Sequence, residues 1–217
     1  MTTLTTSLFS DVPDLEFFPD SHRYRYRGQW IKYSITQVIS DKTDAQMARI
    51  MSTKHIWEPR GNTVHACLER FLLHGDPGDP GDYAEWIDPL VNHVMWTRWE
   101  PVAVEMRLVD PRHSICGSFD CMLRNKDDGR LVLADLKTLG NTHSKTRDIS
   151  SQLGGYLNLA DQCIPNFPVV SRCLGIWARP GSVELTTYET QDSITNYLAA
   201  RSLFLEKQRE LDSQLDF

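Results

Sequence analysis

No stretch of this chain reaches the roughly 18 consecutive apolar residues that a membrane-spanning helix needs, so no bilayer-embedded helix and no membrane partner are expected. Cysteine is sparse and badly spaced for metal or disulfide work. Cys67, Cys116, Cys121, Cys163 and Cys173 are odd in number and contain no Cys-x-x-Cys pair. That disfavours a disulfide framework, a zinc ribbon and a four-cysteine iron–sulfur cluster, and fits a reducing compartment. Positive charge is also in deficit: 23 Lys and Arg against 29 Asp and Glu leave a net charge of −6, so bulk charge alone would not hold nucleic acid. Any such contact must be local. Residues 1–14 have neither a cationic start nor an apolar stretch of signal-peptide length, which argues for the cytoplasm rather than secretion.

What is present is ordinary for a folded protein. Hydrophobic residues make up 41% and charged residues 24%, and 217 residues suit one large domain. There is no internal repeat, and the loop-rich Gly75-Asp76-Pro77-Gly78-Asp79-Pro80-Gly81 is too short for a domain boundary. Residues 17–33 read as a hairpin bent at Gly28-Gln29, with Arg23, Arg25 and Arg27 on one face and Tyr24 and Tyr26 facing the core. Helical spacing follows over 44–74, with a break near Pro59-Arg60-Gly61, and again over 83–99. Three strands are expected at 102–109, 114–124 and 130–138, separated by the turn sequences Asp110-Pro111-Arg112-His113 and Asn125-Lys126-Asp127-Asp128-Gly129. An amphipathic helix at 149–162, strands at 169–178 and 183–190, and a helix over 191–213 complete the chain. The order implies an α/β fold: a hairpin and helices over 15–100, a core over 101–190 and a C-terminal helix, all in one domain spanning 1–217.

Three acids are evenly placed. Glu105, Asp120 and Asp135 are 15 residues apart, and the midpoints of both intervals fall inside the turn sequences. In an antiparallel meander, residues equidistant from a turn face each other on one side of the sheet, so the carboxylates should form a row. Lys137, two positions beyond Asp135, projects from the same face. Apposed carboxylates near a core need a compensating cation, and all-oxygen ligands suit Mg²⁺ or Mn²⁺. A cation beside a lysine suits phosphodiester hydrolysis, by activating water and neutralising phosphate charge. An acid–lysine ion-pair row on a half-solvated sheet fits the same spacing, and so does a two-carboxylate glycoside hydrolase, although the latter has no work for Lys137.

Four sequence blocks go further. Gly61-Asn62-Thr63-Val64-His65, Gly117-Ser118-Phe119-Asp120, Asp135-Leu136-Lys137-Thr138 and Gln152-Leu153-Gly154-Gly155-Tyr156, in that order, resemble the PD-(D/E)XK nuclease superfamily. The likeness is to its RecB-type exonuclease branch and related phage and mitochondrial exonucleases, over residues 17–190. The resemblance implies a restriction-endonuclease-like core: a central mixed β-sheet with an antiparallel meander, flanked by helices. It implies Asp120, Asp135, the Leu136 carbonyl and His65 as ligands of Mg²⁺, with Mn²⁺ as a substitute, and Lys137 as the catalytic lysine. Glu105 matches an acid that many members place one strand earlier, and Gln152 and Tyr156 would contact DNA or brace the site. Members that carry an iron–sulfur cluster have cysteines this chain lacks.

The expected activity is therefore metal-dependent DNA hydrolysis, first as an exonuclease on linear ends, with an endonuclease or a non-catalytic DNA-binding member as alternatives. A bacterial or phage-infected cell is the implied setting, with room for a helicase, recombinase or single-strand-binding partner. Thr138 either ends its strand or bonds phosphate. Tyr156 fits plain core as well as the site, and Lys145 and Arg147 fit either a DNA grip or a solvated loop. Glu69, one turn after His65, reads as its partner or as a solvated acid.

Overall fold

A computed structural model of the chain describes residues 8–215; residues 1–7, half of the stretch weighed against secretion, lie outside the described residues, as do 216 and 217. The first element is a small antiparallel sheet of β1 (Leu15–Phe18), β2 (Arg23–Tyr26) and β3 (Gln29–Trp30). Its tight turn is Arg27-Gly28, both with positive φ (48° and 78°), one residue earlier than the sequence suggested. Phe17 pairs with Tyr24 on the inner face and Phe18 with Arg23 on the outer. Tyr24 is buried as expected, while Arg23 lies 4.2 Å above the exposed Trp30 ring.

β4 (Tyr33–Ser34) leads into α1 (Ile35–Val38) and α2 (Asp44–Ser52), whose starts are set by capping boxes at Ser34/Gln37 and Thr43/Gln46. α3 (Lys54–His74) then runs unbroken through Pro59, so the expected break at 59–61 falls instead at Thr53. A proline inside a helix costs about 3 kcal/mol. Burial of Val64, Cys67, Leu68 and Leu72 from the same helix offsets it. The single helix expected over 83–99 is two, α4 (Ala84–Val91) and α5 (Met95–Arg98), and Trp99 already belongs to a strand. Asn92 ends α4 by donating its side-chain N–H to the Asp88 carbonyl at 2.9 Å.

The rest is β5 (Trp99–Asp110), β6 (Ile115–Asn125), β7 (Leu131–Thr138), α6 (Ser150–Cys163), β8 (Val170–Arg179), β9 (Ser182–Tyr188) and α7 (Thr190–Leu215), close to the expected spans. β5 to β7 form the anticipated antiparallel meander, β7 and β8 are parallel, and β9 returns antiparallel; with β4 they make a six-stranded mixed sheet. Helices cover both faces, giving an α/β architecture. α3 and α4 bury one cluster, including Val64, Leu68, Leu90, Cys121, Ala134 and Leu136; α1, α6 and α7 bury the other, including Ile35, Phe119, Leu133, Leu153 and Tyr197. β7 alternates between the two clusters, as a strand apolar on both faces must. No helix among the described residues is long and apolar enough to cross a membrane.

The β5–β6 turn is held by Asp110, which is fully buried and accepts from the Arg112 and His113 backbone N–H groups (2.9 and 3.3 Å), with His113 Nδ1 at 2.6 Å. Asp110→Ala strands those N–H groups beside Arg201, whose Nη1 lies 3.8 Å from the carboxylate. A loss of about 3 kcal/mol is expected in urea unfolding.

Candidate metal centre and its cleft

β6 changes partner along one edge. β5 follows one side along its length, while on the other side residues 115 and 116 pair with β4 and residues 121 to 124 pair with β7. Residues 117 to 120 lie in the fork between them. Just past the last β6–β7 pair, Cys121 with Ala134, the Leu136 N–H donates to Asp120 Oδ2 instead of to a strand. The carboxylate thus replaces a ladder bond and fixes how far the strands splay.

At the same level side-chain alternation fails. Ala103 and Met106 on β5, and Phe119 and Met122 on β6, are three apart yet pack in the same cluster, where an unbroken strand would send them to opposite faces. Glu105, between them, takes a left-handed φ of 49°, a conformation a glutamate adopts only under structural constraint. The register still sets Glu105 level with Asp120, since the flanking pairs are Val104 with Cys121 and Met106 with Phe119.

Two adjoining groups can be told apart at this level. His65 from α3, Glu105 and Asp120 bring one potential ligand atom each to within 4.8 Å of one another. Asp135 lies outside that set. It sits against α6, with Lys137 Nζ 2.5 Å from Oδ2 and Gln152 Nε2 donating to Oδ1 at 3.3 Å. Asp120 stands between the other two acids electrostatically, raising both Glu105 and Asp135, and all three line one cleft with Lys137. Of the Leu136 backbone, the N–H is the group seen to serve the site.

Electrostatics mark the first group as overcharged. Burial and then the neighbouring Asp120 push Glu105 up to about 8. Burial raises Asp120 too, but the His65 imidazole, Lys137 and the Leu136 N–H outweigh it and hold Asp120 below its ordinary value. Burial lowers His65, and Asp120, 3.0 Å from Nδ1, more than reverses that. A proton on Nδ1 shared with Asp120 leaves the Nε2 lone pair free. Asp135 is raised, chiefly by burial, against the pull of Lys137.

Both groups open into a cleft of about 870 Å³. Thr138, Arg147, Gln152 and Tyr156 line it, whereas Lys145 is exposed and does not. Gln152 also donates to the Tyr156 hydroxyl at 2.6 Å, so the pair braces Asp135. Gly117 has a packing role: a Cβ there would lie 2.8 Å from Ile35 and 3.0 Å from Tyr156. Glu69 is not among the cleft residues. Sequence reasoning passed over Asn62, Arg107 and Ser118, which also line it; Ser118 donates to Glu105 at 3.4 Å. Asn62 is one turn from His65 and Arg107 two along from Glu105, so the spacing signal was there.

The fold and this cluster define an α/β protein with a carboxylate–histidine centre at a strand fork. Neither family models nor curated proteins match the chain. Among solved structures it is similar to SSO0001, known from a crystal structure, with 14% identity, a TM-score of 0.41, and coverage of 78% of this chain and 75% of that one.

Proposed function

We propose that this chain is a metal-dependent deoxyribonuclease with a restriction-endonuclease-like core of the PD-(D/E)XK type, hydrolysing phosphodiester bonds from linear DNA ends. One observation carries the reading: three potential ligands meet beside a lysine–carboxylate pair in an open cleft. The donor set fits a hard divalent cation. Burial, and then the neighbouring Asp120, push Glu105 up to about 8, and Asp135 Oδ2, although in ion-pair contact with Lys137, is buried without a hydrogen bond of good geometry. His65, Glu105 and Asp120 would hold Mg²⁺ or Mn²⁺, with Asp135 at its edge. Such a cation, when bound, polarises the phosphate and makes water a competent nucleophile at neutral pH.

The chain's own groups supply the rest. Lys137, fixed by Asp135, presents an ammonium to charge developing on the phosphate. Gln152 and Tyr156 keep Asp135 from swinging out of position. Arg107 and Arg147 give the cleft local positive charge that the net charge of −6 does not.

The test is incubation of labelled linear and closed-circular DNA with Mg²⁺, with and without chelator. Digestion of linear DNA alone, abolished by chelator, is the expected result. Nicking of the circle would make the enzyme an endonuclease; binding without cleavage would make it a non-catalytic member; cleavage that survives chelator would overturn the metal reading. In the same assay Asp120→Ala should lose both activity and the rise in Tm that Mn²⁺ gives the parent, about 2.7 kcal/mol of stabilisation at 100 times Kd.

A further inference from the structure

Arginine is almost never buried without an acceptor, because a desolvated guanidinium has no compensation for the hydration it loses. Arg60 on α3 is such a case. It is 8% exposed, and its Nε is buried without a hydrogen-bond partner. Among the described residues no carboxylate pairs with it; its ring neighbour is Trp86, with Cζ 5.5 Å from the ring centroid. Burial pulls its pKa below the usual arginine value, with only the Tyr83 hydroxyl acting the other way.

The position is built rather than accidental. Trp86 Nε1 donates to the Leu139 carbonyl at 2.7 Å, which fixes the ring against the loop that follows β7. In that loop Gly140 leaves room beside the guanidinium: a Cβ there would be 3.9 Å from Arg60 Nη2 and 4.0 Å from Ser144 Oγ. The next residue along α3, Gly61, lines the cleft, and a Cβ on it would be 3.9 Å from Thr138 Oγ1. A cation lacking an anion therefore stands one residue along α3 from the cleft wall at Gly61, beside the loop that follows the strand carrying Asp135 and Lys137, although Arg60 itself is not among the residues that line the cleft.

We infer that Arg60, with the Gly140–Ser144 loop, is a phosphate subsite for the polynucleotide, taking a phosphate that flanks the one attacked at His65, Glu105 and Asp120. The inference rests on the nuclease reading. The ligand chemistry is a phosphate group, supplied either by an internal diester or by a strand terminus.

Arg60→Met keeps the stem and removes the charge. Binding is measured by anisotropy with Ca²⁺ in place of Mg²⁺ to suppress turnover. The probes are a parent oligonucleotide, a set with one neutral methylphosphonate at successive linkages, and a pair with and without a terminal phosphate. The variant should bind the parent oligonucleotide about tenfold or more weakly, as loss of one charge-assisted contact implies. The single change that weakens wild-type binding at the subsite, an internal linkage or the terminal phosphate, should then have no effect on the variant, which names the source. The variant's Tm should equal or exceed the parent's, because a buried unpaired cation is gone. Parent-like affinity in the variant, or a lowered Tm with every phosphate effect retained, overturns the subsite alone. Wild-type protein that binds no oligonucleotide overturns the nuclease reading and the subsite with it.

Discussion

Lys137→Ala is expected to cut DNA about 10²–10³-fold more slowly than the parent, the usual cost of losing one donor aimed at developing charge. It should also unfold more readily, by about 3 kcal/mol, and this distinguishes it from an ordinary lysine at a cleft. Asp135 is 2% exposed and its Oδ2 has Lys137 as its ion-pair partner at 2.5 Å; without the ammonium the carboxylate keeps only the long Gln152 bond on Oδ1. A buried charge whose partner is removed is costly, whereas removal of both partners is often tolerated. The double variant Asp135→Asn, Lys137→Met should therefore regain most of the lost stability and stay inactive. Urea unfolding and steady-state cleavage of one linear substrate check both parts. A Lys137→Ala protein of parental stability would show that the pair is not buried as described; one of parental activity would remove Lys137 from the reaction.

The second large effect concerns Gly154, far from any reacting atom. α6 was expected to be amphipathic, but it is buried on nearly all sides because α7 lies across its outer face. The approach depends on Gly154: a Cβ there would come 1.9 Å from the Ser193 carbonyl oxygen and 2.7 Å from the Ile194 nitrogen. Both are backbone atoms of a helix and cannot rotate away. Gly154→Ala must force α6 and α7 apart, at a cost of about 3 kcal/mol or more, the upper part of the range for overpacked cores. Because α6 also carries Gln152 and Tyr156, the same movement should loosen Asp135 and reduce cleavage. Thermal unfolding and cleavage should fall together; an alanine variant with parental Tm would show that the helices are not in this contact. Gly155→Ala meets side-chain rather than backbone atoms, of the buried Ile35 and Tyr197 at 2.9 and 3.0 Å, so a smaller though still appreciable loss is expected.

Much of the fold was legible because it rests on local rules. The meander was readable from turn sequences and apolar alternation, and the 15-residue spacing matches the register on either side, Val104 and Met106 against Cys121 and Phe119 and, one step short of Asp120 and Asp135, Cys121 against Ala134. The misplaced helix break had a local warrant as well. Pro59 and Gly61 are poor helix residues, but burial of Val64, Leu68 and Leu72 decided the matter. The second helix over 83–99 failed for the opposite reason: Trp96 and Trp99 carry apolar weight in any conformation, and periodicity does not tell a helix end from a strand start. Lys145 differs from Arg147 only in which way the loop turns, and no residue pattern encodes that.

Composition, turn chemistry and periodicity were thus enough to set the class of fold, the strand register and the pool of acids, bases and polar side chains from which a site could be drawn. Only the tertiary structure decided which of them meet. The strand fork and the left-handed backbone at Glu105 bring Glu105 and Asp120 within reach of His65, while Asp135 keeps Lys137 beside it. The reason is that side-chain direction in a strand follows from alternation only while the ladder is regular. Once two strands kink together, direction depends on what packs above and below them.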